Sequence, residues 1–119
     1  YQNYNEAIKM IEKNKENIFI FGYAGFPHFK SFWKKASKLN NVYFDISSNH
    51  IDKNYIKKII SIINIKKILY SSDCPYNFKD ENKKFSYEKN ILRIKDALNN
   101  NEQDKLDNIL FKNAKKFKL

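Results

Sequence analysis

The stretch KILYSSDCPY, residues 67–76, carries an aspartate at the end of an apolar run, with proline two residues beyond it. A carboxylate held at a strand's carboxyl end can ligate a metal ion or take a proton from a metal-bound water. Pro75 has no N–H for a sheet ladder, so the chain must leave the sheet there and hold Asp73 at its rim. By position alone, Asp73 suits a solvated turn or a cap equally well. A second candidate group lies in NVYFDIS, residues 41–47. Strand alternation places Tyr43, Asp45 and Ser47 on one side, as it does Leu69, Ser71 and Asp73 on the third strand and Phe19, Phe21 and Tyr23 on the first. Each set becomes more polar toward its end, as expected of a face packed low and chemical at the top. Asp45 either lines a pocket beside Asp73 or is a buried aspartate tied to backbone donors.

The other reactive types point elsewhere. His28 and His50 are the only histidines and read as loop or capping residues. Cys74 has the opposite parity to Asp73 and reads as packed rather than nucleophilic. Gly22 and Gly25 do not form G-x-G-x-x-G, so no dinucleotide or phosphate loop is indicated.

Positioning these side chains requires an alternating chain. Tyr4, Ala7, Ile8 and Ile11 predict a helix over about residues 4–14. NIFIFGYAG, residues 17–25, predicts a buried strand. Phe29, Phe32, Trp33, Ala36 and Leu39 keep helical spacing, with Pro27 near the start and Trp33 on the buried face. The second strand spans 41–47. Asp52 is a candidate N-cap for a helix carrying Tyr55, Ile56, Ile59, Ile60 and Ile63. The third strand spans 66–73, and a polar loop follows over 77–85. Two helices are predicted near 86–99 and 102–117, the last with Leu106, Ile109, Leu110, Ala114 and Phe117 on one face. Strands separated by helices run parallel with right-handed crossovers, so the fold class is α/β, in one domain spanning 1–119.

The 119 residues, 42% hydrophobic and 16% aromatic, are enough for a real core and argue against disorder. No apolar run reaches the roughly 18 residues of a membrane span, so no membrane partner is expected. A single cysteine rules out an internal disulfide and fits a reducing, cytoplasmic setting. The chain opens at Tyr1 rather than Met, which suggests processing or a piece of a longer protein. The net charge of +10 raises the question of nucleic acid. Against this, Arg93 is the only arginine, whereas base and phosphate readers favour arginine forks. The lysines are scattered among Asn and Ile, as an AT-rich coding sequence would produce.

FGYAGFPHFKSFWKKASKLNNVYFDISS followed by KILYSSDCPY resembles the last part of the amidohydrolase-related family, metal-dependent hydrolases and decarboxylases on a (β/α)8 barrel. The family pattern has a strand ending in His-x-Gly, an NVYFD-x-S strand, a strand ending in GSD-x-P, and a closing helix matched here by NILFKNAKKF, residues 108–117. The resemblance implies a TIM barrel of which this chain holds the last three strands and closing helices. It implies a small amide or carboxylate substrate and a divalent metal, with zinc the commonest. It places Asp73 as the metal-binding or water-positioning aspartate of the last strand. A missing upstream barrel half or a homo-oligomer would be the partner.

The sequence also departs from that pattern. Tyr23 stands where the family has histidine, and its reference pKa of about 10 makes it a hydrogen-bond donor but a poor base at neutral pH. Ser71 replaces the glycine of GSD. No His-x-His pair is present. The isolated chain is therefore expected to hold no zinc and to be inactive, and a non-catalytic remnant or ligand-binding protein is the alternative. An open sheet face made by Phe19, Phe21, Tyr43 and Leu69 is expected as well.

Overall fold

The computed structural model describes residues 4–25, 30–47, 51–71, 81–84 and 86–117. Helix α1 spans Tyr4–Lys13 and strand β1 Phe19–Phe21. Helix α2 spans Lys30–Ala36, β2 Val42–Asp45, α3 Lys53–Ile62, β3 Ile68–Leu69 and α4 Tyr87–Ala97. The three strands form one parallel sheet in the order β1-β2-β3, with neighbours in chain order. The alternation of strands and helices thus gives a mixed α/β fold. Among the described residues, no helix is long and apolar enough to cross a membrane.

The helices form for local reasons. Asp52 caps α3, its Oδ1 accepting from the Tyr55 N–H at 2.8 Å, and Ser86 caps α4 by accepting from the Lys89 N–H at 3.2 Å. Ile11 of α1, Phe32, Trp33 and Ala36 of α2, Ile56 and Ile59 of α3, and Ile94 and Ala97 of α4 all enter one cluster with Val42, Phe44 and Ile68. All four helices therefore contribute to a core on the same face of the sheet. Trp33, 1% exposed, is buried as its spacing predicts, and its Nε1 donates to the Ala24 carbonyl at 2.8 Å.

The register corrects the sidedness predicted for the first strand. Phe21 pairs with Phe44, which pairs with Ile68, while Ile20 pairs with Tyr43, and Asp45 with Leu69. Paired residues share a face. Phe19 and Phe21 thus lie on the helix-packed side, where Phe21 meets Phe32 edge-on at 4.6 Å, and not on an open face with Tyr43 and Leu69. The residue of β1 on the helix-free face is Ile20, 53% exposed. Every residue from Ile18 to Phe21 is apolar, so alternation there carries no contrast between faces.

The strands are also shorter than predicted. β3 is preceded by a 3₁₀ turn, Ile65–Lys67, capped by Asn64. The helix predicted over 102–117 is replaced by three short pieces: a 3₁₀ stretch Asn100–Lys105, a π-helical turn Asn108–Lys112 and a 3₁₀ turn Ala114–Lys116. The wide turn, closed by the Asn113 N–H on the Asn108 carbonyl at 2.9 Å, shifts the phase of the chain. Asn113 is buried at 1% exposure and Ala114 is exposed, the reverse of the predicted stripe.

Candidate functional site at the carboxyl ends of the strands

In parallel α/β folds, chemistry gathers beyond the carboxyl ends of the strands. There Asp45 closes β2, half-buried, on the helix-free face. Each of its oxygens accepts a serine hydroxyl at 2.6 Å: Ser47 Oγ donates to Oδ2, and Ser71 Oγ to Oδ1. Ser47 is two residues on from Asp45, so strand parity brings it to the same side, and it is buried. Ser71 comes from beyond β3 and is exposed. The predicted sidedness of Asp45, Ser47 and Ser71 thus holds, and the carboxylate bridges two strand ends. Among the described residues, the donors to the Asp45 carboxylate are these two hydroxyls.

Behind the carboxylate stands a buried cation. Helix α4 turns Asn90, Arg93, Ile94 and Ala97 inward. Arg93, 8% exposed, donates through Nη1 to the Ile51 carbonyl at 2.6 Å and through Nη2 to the Ile46 carbonyl. Its Nε and Nη2 also donate to Asn90 Oδ1 at 3.0 and 2.9 Å. Asn90 Nδ2 in turn donates to the Tyr70 hydroxyl at 3.3 Å. The planar fork thus ties the end of β2 to the residue before the α3 cap, a geometry that lysine's point charge does not match. Burial lowers the guanidinium pKa to about 10, partly countered by Tyr70 and Asp45. Arg93 therefore stays charged at neutral pH and sets a positive potential behind the strand ends.

The other predicted positions fall differently. Tyr23 lies in the 3₁₀ turn Gly22–Gly25 that leaves β1. Beside it, Ala24 is fully buried and takes φ of 53°, a left-handed conformation that costs a residue with a Cβ about 1–2 kcal/mol. The Trp33 indole on the Ala24 carbonyl helps to hold this turn in place. Asp73, Cys74, Pro75, His28 and His50 lie outside the described residues. Sequence reasoning missed Asn90, Arg93 and Tyr70. The available signal was the i, i+3, i+4, i+7 stripe of α4, in which two polar residues occupy inward positions.

Among the described residues, no three His, Cys, Asp or Glu side chains converge. Each Asp45 oxygen holds one serine hydroxyl and keeps a further lone-pair site. Ser71 is an exposed hydroxyl on an anchored carboxylate, and a ligand hydroxyl or amide can exchange with it.

No protein-family model matches the sequence, and no curated protein or solved structure resembles it closely enough to count as a match.

Proposed function

We propose that this chain is the carboxyl-terminal part of an amidohydrolase-related (β/α)8 barrel, whose complete domain performs metal-assisted hydrolysis of a small amide or carboxylate. The observation supporting this reading is the sheet order. Three parallel strands follow one another in chain order, with the core on one face and a hydroxyl–carboxylate cluster at their carboxyl ends. A doubly wound sheet reverses its strand order at a switch point and packs helices on both faces; a barrel does neither. On this reading Asp45 and Ser71 line the substrate pocket, and Arg93 fixes the pocket wall. Asp73 supplies one oxygen toward the metal, zinc by family expectation, and the remaining ligands belong to the upstream strands. Tyr23 donates a hydrogen bond where the family has a base.

A second reading is a ligand-binding protein of the same fold. The hydroxyl bond on each Asp45 oxygen favours it, since it holds the carboxylate in one orientation, as an anchor for a polar ligand requires.

The test is to express the chain together with the upstream half of the barrel and measure bound metal and turnover, with and without Tyr23→His. Metal binding with a Tyr23→His gain on the order of 10²-fold or more supports the hydrolase, because general base catalysis is typically worth about 10²–10⁴-fold. Metal binding without turnover in either version supports the ligand-binding reading. Tight zinc binding and turnover by the 119 residues alone would overturn the barrel-fragment reading.

A further inference from the structure

The net charge is not spread evenly over the fold. Residues 30–67 hold nine lysines against two aspartates, so seven of the ten net positive charges fall there, while residues 1–29 carry three lysines and three glutamates. The same contrast separates the helices. In α1, Glu6 and Glu12 offset Lys9 and Lys13, and in α4, Glu88 and Asp96 offset Lys89 and Lys95. Helices α2 and α3 contain no acidic residue. A coding bias toward lysine enriches every element alike; it does not strip the acids from two neighbouring helices.

Contacts fix which way these lysines face. Helix α2 turns Phe32, Trp33 and Ala36 inward, and α3 turns Ile56 and Ile59 inward. Trp33 meets Tyr55 edge-on at 5.6 Å, so this pair marks the seam between the two helices. On the other side of α2, Lys35 is drawn to α1: its Nζ donates to Asn5 Oδ1 at 3.3 Å and lies 5.5 Å over the Tyr4 ring. The remaining lysines point to solvent. Lys30 and Lys34 lie one turn apart on the seam side of α2, and on α3 Lys58 lies one turn from Tyr55 with Lys53 and Lys57 beyond it. All five are exposed, and none has an ion pair among the described residues. Asp52, just before α3, is committed to the Tyr55 N–H as its cap. Two packed helices lie about 8–10 Å apart, so the five ammonium groups form one continuous basic surface.

We propose that the outer surface of α2 and α3 binds the phosphate backbone of a nucleic-acid duplex, without reading its bases, through Lys30, Lys34, Lys53, Lys57 and Lys58. Charge complementarity selects the partner. A duplex carries one phosphate charge per about 1.7 Å of its axis, and lysine meets phosphate as a point charge. Base reading favours the arginine forks that this surface lacks, which confines the contact to the backbone. An anionic membrane fits less well. Helices that lie in a membrane surface sink an apolar face into it, and the apolar faces of α2 and α3 are spent on the core. The exposed large apolar residues, Met10, Ile18, Ile20, Tyr87, Leu92 and Phe111, all lie on other elements. An acidic protein fits less well too, because protein interfaces are depleted in lysine. The surface lies on the helix side of the sheet, away from Asp45, so the proposal does not rest on the hydrolase reading.

The test is the salt dependence of binding to a labelled DNA duplex of random sequence, with the whole chain. If four or five lysines each displace a counterion, affinity should fall about 10²-fold or more between about 50 and 200 mM salt. Two variants of equal net charge are compared. One carries Lys30→Gln, Lys34→Gln, Lys57→Gln and Lys58→Gln; the other carries Lys13→Gln, Lys95→Gln, Lys112→Gln and Lys116→Gln. All eight positions are exposed, so both variants should keep the wild-type emission of Trp33. The first should lose most of the affinity and flatten the plot of log affinity against log salt by about 3, while the second stays within a few-fold of the wild type. Equal loss in both variants would show that net charge alone attracts the duplex and would overturn the proposal. No binding by the wild type at the lower salt would overturn it as well. Tighter binding to phosphatidylserine vesicles than to the duplex at the same salt would reassign the surface to a membrane and refute the nucleic-acid reading.

Discussion

Replacing Arg93 by lysine should destabilise the protein more than replacing it by methionine, although lysine keeps the charge. Burial lowers the guanidinium pKa to about 10, which corresponds to about 3 kcal/mol disfavouring the buried cation, at about 1.4 kcal/mol per tenfold. Hydrogen bonds from a charged donor return about 1.5–3 kcal/mol each, and Arg93 makes them to the Ile46 and Ile51 carbonyls and to Asn90. Methionine removes the bonds and the burial cost together, leaving two main-chain acceptors without this donor. The net loss should be about 2 kcal/mol. Lysine keeps a more strongly hydrated charge in the same place but cannot span both carbonyls, so the loss should reach about 4 kcal/mol.

The assay is urea unfolding near pH 7, followed by emission from Trp33, the only tryptophan. The pH is chosen by linkage. The folded pKa lies below the unfolded one, so the unfolded state holds more protons above pH about 10, and the arginine's burial cost is relieved as pH rises past that value. Below it the cost is fully present and constant. A lysine variant as stable as the wild type, or more stable than the methionine variant, would refute the account of Arg93 as a planar bridge.

Two further outcomes follow from single contacts. Asp52→Ala should lower stability by about 1 kcal/mol in the same assay, the usual worth of an N-cap, because it strips the acceptor from the Tyr55 N–H; no change would mean that water replaces the cap without loss. Asp45→Asn should cost about 1–2 kcal/mol, because one of two charge-assisted acceptors is replaced by an amide N–H facing a serine hydroxyl; a neutral result would show that the serine bonds are interchangeable with water.

The parts of the fold legible in the sequence are those where residue types contrast. In β2, Val42, Phe44 and Ile46 alternate with Tyr43, Asp45 and Ser47, and the faces follow. In β1, Ile18, Phe19, Ile20 and Phe21 offer no contrast, and the predicted sides came out exchanged. The Asp52 cap was legible because a capping side chain acts on its own next turn, a local interaction. Arg93 was not, because its partners at residues 46 and 51 are distant in sequence, and nothing in one helix says that a carbonyl waits opposite. The apolar spacing of 106–117 suggested a continuous helix, but spacing does not register the added residue of a π turn. That one residue decides whether Ala114 or Asn113 faces inward.

The two ends of the sheet differ in one respect, and the difference bears on where binding can occur. At the amino end, polar side chains meet main-chain carbonyls. Lys67 Nζ donates to the Ser37 carbonyl at 2.7 Å and to that of Leu39, and Asn41 Nδ2 to those of Asn14 and Asn17 at 3.2 and 2.9 Å. Burial holds the Lys67 pKa below its ordinary value, as for a cation committed to fixed acceptors. Displacing any of these would require a turn of the chain to move. At the carboxyl end Arg93 likewise meets main-chain carbonyls, but in front of it side chain meets side chain at Asp45–Ser71 and Asn90–Tyr70. A ligand oxygen or nitrogen can take the place of the exposed Ser71 hydroxyl for the difference between two hydrogen bonds, each worth about 1 kcal/mol net. The backbone need not shift, because Arg93 holds the chain on either side of the gap independently. Exchangeable contacts on a fixed frame are what a binding site requires, and among the described residues the strand ends carrying Asp45 and Ser71 supply them.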